Sequence, residues 1–358
     1  MRFYLPDSLL EYGNLRAMRG IVIAGGLGTR LRPLTLSRPK PLMPLVNAPL
    51  LEYQISYLKS AGIQEVCFAT NYMADAVEAH FGDGGEFGVR LVYAVEDEPL
   101  DTGGAIRNAW DALPPDDCVV FNGDTIHSFD IASIIRRHQE RKADVTLTLR
   151  EVARPHAYGV VPLDEEGRVL GFQEPSEEQK RSLSGPAEGS DFINAGLYII
   201  NREIFEEFFP QRRCNVEREV FPRVIEAGKR VFGDVQGGFW IDIGRPSQYL
   251  RAVRAVLTGE VAPARPFRME GDSAVAENAE VRGAVSGGSV ISPGVTIAEG
   301  ASVETAVLFE GATVGEGAVI RHSIIGENAQ VEPHAIVENS VIGGGTVLTS
   351  YSRSGVVP

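Results

Sequence analysis

The chain has 358 residues, 34 basic against 48 acidic, and a net charge of −14. That balance disfavours nucleic acid and anionic membrane surfaces as partners, and no apolar run approaches the ~20 residues of a membrane span. The length exceeds what one hydrophobic core serves, so two domains are expected. The three scattered cysteines, Cys67, Cys118 and Cys214, lack the spacing of a zinc site, and reduced thiols in a cytoplasmic protein are the expectation.

The first residues, "MRFYLPDSLLEYGNLRA", have neither a basic start nor an apolar core, so 1–19 is read as an extension and not a secretory signal. A buried strand, "GIVIAG", follows, and then "AGGLGTRLRPLTLSRPKP". Ala24, Gly25, Gly26, Gly28 and Thr29 form a loop in which missing side chains let backbone N–H groups approach an anion. Arg30, Arg32, Arg38 and Lys40 supply positive charge beside it, and Pro39 and Pro41 restrict the backbone presenting Lys40. Neither rival motif fits: "GGLGTRL" lacks the third glycine of a dinucleotide fingerprint, and no Gly-Lys-Ser/Thr follows as in a P-loop. A polyphosphate held by the loop and attacked there is the expected ligand.

"PLLEYQISYLKSAG" reads as a helix with Leu51, Ile55 and Leu58 on one face and Gly62 as its C-cap. "EVCFAT", "VRLVYAV" and "CVVFNGD" read as buried strands, and "FDIASIIRRHQER" as a helix between strands. The alternation over 20–257 predicts an α/β, doubly wound, mostly parallel sheet of Rossmann-like type. Ligands in such sheets sit beyond the carboxyl ends of the strands, where the glycine loop and Asp124 fall.

After a linker at 258–270 a repeat begins. Ile291, Leu308, Ile325 and Ile342 are spaced 17 residues apart, as are Ile297, Val314, Val331 and Leu348, and Val303, Ile320 and Val337. A unit this short cannot bury its own apolar side, so coils must stack. Residues 271–350 are expected to form a short left-handed parallel β-helix of hexapeptide repeats, with 351–358 as a tail. Self-association through this part, giving a homo-oligomer, is the expected use of its open end.

The glycine-loop string resembles the signature of the sugar-1-phosphate nucleotidyltransferases. The resemblance continues in order through "EPLDTGGA", "FNGD", "YGVV", "NAGLYII" and "FWIDIG", and with the β-helical tail is most like the mannose-1-phosphate guanylyltransferase branch. It implies transfer of a nucleoside monophosphate from an NTP, taken as GTP, to a sugar 1-phosphate, taken as mannose 1-phosphate, with Mg²⁺ as cofactor. By resemblance, Arg30 and Lys40 neutralise the triphosphate, and Asp124 and Asp242 hold Mg²⁺ as catalytic ligands. Thr102 and Gly103 meet the nucleobase, with Glu98 accepting from guanine, while Gly159 and Asn194 contact the sugar.

One departure stands out. Relatives carry Glu-Lys-Pro with a phosphate-binding lysine, whereas this chain has Gln173-Glu174-Pro175. Another cation (Arg150, Arg154 or Lys180) could serve, the acceptor or base could differ, or the chain could be a non-catalytic regulatory subunit. Acyl transfer, a chemistry of other hexapeptide-repeat proteins, is disfavoured because only His322 and His334 lie in the repeat.

Overall fold

The computed structural model describes residues 18–153, 159–173 and 190–355. Glu174, Arg154 and Lys180 lie outside these residues, as does the extension up to residue 17.

Seven strands form the main sheet: β1 (Met18–Ile23), β2 (Glu65–Thr70), β3 (Arg90–Val95), β4 (Asp117–Asn122), β6 (Val145–Ala153), β7 (Ser190–Ile200) and β8 (Val231–Val235). Their spatial order is β8-β6-β7-β4-β1-β2-β3. Every pairing is parallel except those of β7, which runs antiparallel to both β4 and β6. β1 begins at Met18, inside the stretch expected to be an extension, because Arg19 is tied to Glu65 and Asp116 on the flanking segments.

Successive residues of the central strands point to opposite faces. Ile21, Cys67 and Val120 pack on one side against α3 (Asp101–Asp111) and α5 (Arg202–Phe208). Val22, Phe68 and Phe121 pack on the other against α1 (Leu50–Ser60), α2 (Ala74–Phe81) and α4 (Ile131–Glu140). Burial on both faces explains why these strands read as continuous apolar runs. All three cysteines are buried and free.

The repeat folds into three parallel sheets. Ile291 pairs with Leu308, Leu308 with Ile325 and Ile325 with Ile342; the other two apolar series pair in the same way. The strand at Arg353–Ser354 still pairs with Ile336 and Val337, so the coil runs into the stretch expected as tail. On one of its three sides the residues preceding the inward ones, Val290, Val307 and Ile324, are also apolar. They point outward and share a core with α7 (Pro246–Leu257) through Tyr249 and Val253. Burying each such side chain contributes roughly 1.5–3 kcal/mol, which seats the coil on α7. Arg265 adds an ion pair to Glu52, which is 5% exposed.

Candidate active site

The site forms where three chain segments meet at the carboxyl ends of β1 and β4. The turn after β4 is held tightly: the Gly123 N–H donates to the Ile23 carbonyl at 2.9 Å, and a Cβ on Gly123 would stand 2.7 Å from that oxygen. Only glycine lets β4 turn this close to β1. The turn leads into β5 (Thr125–His127), which pairs antiparallel with β9 (Trp240–Asp242), and the Ile243 N–H donates to the Asp124 carbonyl. Gln54 on α1 anchors this ribbon from beneath by donating to the Thr125 carbonyl at 2.6 Å. The ribbon therefore brings Asp124 and Asp242 together from 118 positions apart.

Lys40, 8% exposed, reaches this pair and donates to Asp124 at 2.5 Å. Burial, then repulsion from Asp124, raises the Asp242 carboxyl to about 6, although Lys40 and Arg30 pull it down. Its Oδ1 is buried without a hydrogen-bond partner. An orphaned carboxylate oxygen beside a second carboxylate fits a hard cation that takes its remaining ligands from phosphate and water. Among the described residues no group of three or more potential metal-ligating side chains exists, and two carboxylates suffice for such a shared site.

The glycine loop borders a cavity of about 420 Å³ lined by Ala24, Gly26, Gly28, Thr29, Arg30 and Lys40, with Thr102 and Asp124 opposite. Gly28 has φ +60, and a Cβ there would meet Thr35 and Lys40 at 3.0 and 3.1 Å. Gly25 packs toward Asn71, while Gly26 faces open space. The four cations of the motif divide. Arg30 and Lys40 line the cavity, Arg38 pairs with Glu327 on the β-helix, and Arg32 is exposed away from it.

Asn122 and Asp124 also line a second cavity, of about 220 Å³, with Gly159, Asn194, Glu217 and Asp242. Asn194 donates to Glu217 at 2.6 Å and to the Tyr198 hydroxyl at 2.7 Å, and its oxygen accepts from the Gly196 N–H. Gln173 is exposed and borders neither cavity; its backbone pairs with Val160 and so fixes the neighbouring Gly159. Arg150 donates to the Gln236 carbonyl and lines neither cavity.

Two residues expected to meet the base, Gly103 and Glu98, lie off the loop cavity, whereas Thr102 lines it. Gly103 faces away from the loop cavity: its N–H donates to the Cys214 carbonyl, and a Cβ would stand 2.7 Å from the Cys214 sulfur. The Thr102 hydroxyl accepts from the Val216 N–H, so this stretch is braced by the segment before Val216–Val220. Glu98 is exposed and borders neither cavity. Glu96, 8% exposed, also lines neither cavity but lies beside the loop, with one oxygen accepting from the Leu100 N–H and the other 3.6 Å from a Cβ position on Gly25. Burial raises its carboxyl.

Glu96 and Glu217 were missed by sequence reasoning. A two-residue offset hides the first. The second sits in a π-helical turn at Val216–Val220, where Asn215 caps the N–H groups of Glu217 and Arg218 and its own N–H donates to Glu219. A reciprocal cap spaced by four instead of three was the available signal.

With this geometry in place, comparison with known proteins is decisive. The nucleotidyl transferase family profile matches residues 19–259, and the profile described as the GMPPB C-terminal domain matches 269–352. The chain belongs to the sugar-1-phosphate nucleotidyltransferases. It is 40% identical over 292 residues to a mannose-1-phosphate guanylyltransferase of Mycobacterium tuberculosis, covering 80% of this chain and 79% of that protein. It is 34% identical to a D-glycero-alpha-D-manno-heptose 1-phosphate guanylyltransferase of Aneurinibacillus thermoaerophilus, over 66% of this chain and 96% of that one. A crystal structure of HddC from Yersinia pseudotuberculosis complexed with GMP-PN superposes with a TM-score of 0.55 at 28% identity, over 66% of this chain and 97% of that one. The transferase carries out nucleotidyl transfer from an NTP to a sugar 1-phosphate. Among the described residues no helix is long and apolar enough to cross a membrane.

Proposed function

We propose that the enzyme makes GDP-mannose and pyrophosphate from GTP and mannose 1-phosphate in the cytoplasm, as a homo-oligomer joined through its β-helix. The observation that carries the reaction is the meeting of two cavities at Asn122 and Asp124, one beside cations and glycines, the other beside hydroxyl-reading groups. The NTP lies in the first, with its triphosphate against the loop N–H groups, Arg30 and Lys40. The sugar lies in the second, where the Glu217 carboxylate accepts from its hydroxyls and the Asn194 amide exchanges its bonds to Glu217 and Tyr198 for bonds to the sugar. A phosphate oxygen of the sugar 1-phosphate attacks the α-phosphorus in line, the bond to the bridging β-oxygen breaks, and pyrophosphate leaves with the electron pair.

Asp124 and Asp242 would hold Mg²⁺, which would offset phosphate charge and polarise the α-phosphorus. Lys40, which donates to Asp124 in the ligand-free protein, would turn its charge to the phosphates once the triphosphate is bound. The choice of guanine rests on the two guanylyltransferase relatives and on the Glu96 carboxylate, whose chemistry suits the N1–H and 2-amino donors. The test is pyrophosphate release across four NTPs and a panel of sugar 1-phosphates with Mg²⁺. GTP with mannose 1-phosphate is expected to lead, and Glu96→Gln to erode the GTP-over-UTP preference while Glu98→Gln leaves it. A different leading pair, or no turnover with any pair, overturns the assignment.

A further inference from the structure

A larger cavity, about 870 Å³, lies between α7 and the β-helix, outside the two already described. Arg245, Arg251 and Arg254 line one wall, and Arg30 stands at its boundary. Among the described residues no aspartate or glutamate lines it, although acidic residues outnumber basic ones in the chain. None of these arginines has a salt bridge among the described residues, whereas many arginines elsewhere do. Arg251 lies over the Phe239 ring at 5.8 Å, and its charge helps to lower the neighbouring Arg150 after the larger effect of burial. Several guanidinium groups held together without anions repel one another, and that cost is offset when a multiply charged anion enters.

The opposite wall supplies Thr305, His322 and Asn339 in one column of turns, with Ile324 and Val341 below. All three column residues have positive φ, at 50, 46 and 48, so the coil stacks its turns here at some strain. Cations on one side, an apolar floor and polar groups on the other suit a phosphorylated organic molecule better than a bare ion. Arg30 joins this cavity to the NTP cavity. Its guanidinium lies against Gly244, where a Cβ would stand 2.9 Å from its Cζ, and both cavities include Arg30 in their walls.

We propose that this cavity is an effector site for a phosphorylated small molecule, whose phosphate engages Arg251 and Arg254 and draws Arg30 from the NTP. The coupling rests on the assignment of Arg30 to the triphosphate; the site itself does not. Because one cation serves both ligands, each weakens the other reciprocally.

Inorganic phosphate is the probe, titrated by calorimetry into the wild-type chain, the double variant Arg251→Gln/Arg254→Gln, and Ser247→Asp. Ser247 lines the cavity on the first turn of α7, where an acidic residue favours the helix while repelling an anion. Wild type is expected to bind phosphate at two classes of site and both variants at one. Phosphate should raise the KM for GTP by about fivefold more in wild type than in the variants, the lower range of allosteric coupling, with kcat unchanged and only direct competition at the NTP loop left in the variants. Equal phosphate stoichiometry in all three proteins overturns the site. A lost site with unaltered inhibition overturns the coupling. Mg·GTP binding, measured in parallel on wild type, tests the NTP assignment separately: its absence would overturn that assignment and leave the stoichiometry to decide this one.

Discussion

In the β-helix, paired residues from Val290 onward are 17 positions apart, whereas at the carboxyl edge of the sheet Gly28, Asp124 and Asp242 converge from three distant segments. The coil is held by nearest-neighbour stacking, and its inner residues, such as Ile320 and Val337, are fully buried. The edge of the sheet is the opposite case. It holds a partly buried carboxylate with an unmatched oxygen and a lysine committed to its neighbour. One region spends its sequence on stability, and the other keeps charges close together at a cost in stability so that a ligand can resolve them.

The contrast breaks most visibly at Asp242. On the proposed role of Asp242 as a cation ligand, Asp242→Asn is expected to reduce kcat by about a hundredfold or more. It should also stabilise the ligand-free protein by on the order of 2 kcal/mol at neutral pH, since the buried charge is gone. The folded carboxyl sits at about 6 against an ordinary 3.8, so its favourable contribution is complete below pH 4 and is lost as pH rises through 6. The variant's advantage in thermal melting should therefore grow between pH 4 and 7. A constant difference across that range would contradict the burial argument.

The coil should behave in the reverse manner. Ile320→Ala, at a fully buried position, is expected to cost about 2–5 kcal/mol of stability from lost contacts and the cavity left behind. Its KM for NTP should stay at the wild-type value at temperatures where the coil is folded, as melting curves and initial rates will show. The smallest effect belongs to the seam between the regions. Arg38→Gln removes the half-exposed ion pair to Glu327, worth about 0–1 kcal/mol, and is expected to leave kcat untouched. A loss in kcat comparable to that of a Lys40 variant would place Arg38 among the phosphate cations instead.

The division of the four motif cations shows where sequence reading runs out. Glycines at 25, 26 and 28 with nearby basic residues pointed to an anion-binding loop, and the loop does line the cavity with Arg30 and Lys40. Nothing in the string separates these from Arg38, because its partner Glu327 lies almost three hundred positions away on the coil. Glu98 looked apt for a base by its place in "EPLDTGGA", yet the turn buries Glu96 and exposes Glu98. Similarly, Gly103 serves close packing on Cys214, a contact visible only once the segment before the π-helical turn is folded onto α3.

The repeat period, the strand-helix alternation and the composition of the loop were properties of the chain itself, because burial patterns and backbone permissiveness act over a few residues or recur at a fixed interval. Even the docking side of the coil is written there, as the doubled apolar pairs Val290-Ile291, Val307-Leu308 and Ile324-Ile325. The pairing of Asp124 with Asp242, the capture of Arg38 by Glu327 and the cationic cavity shared through Arg30 were decided by tertiary structure alone. Electrostatic interactions depend on distance in space, and the spacing of these charges along the chain bears no relation to it.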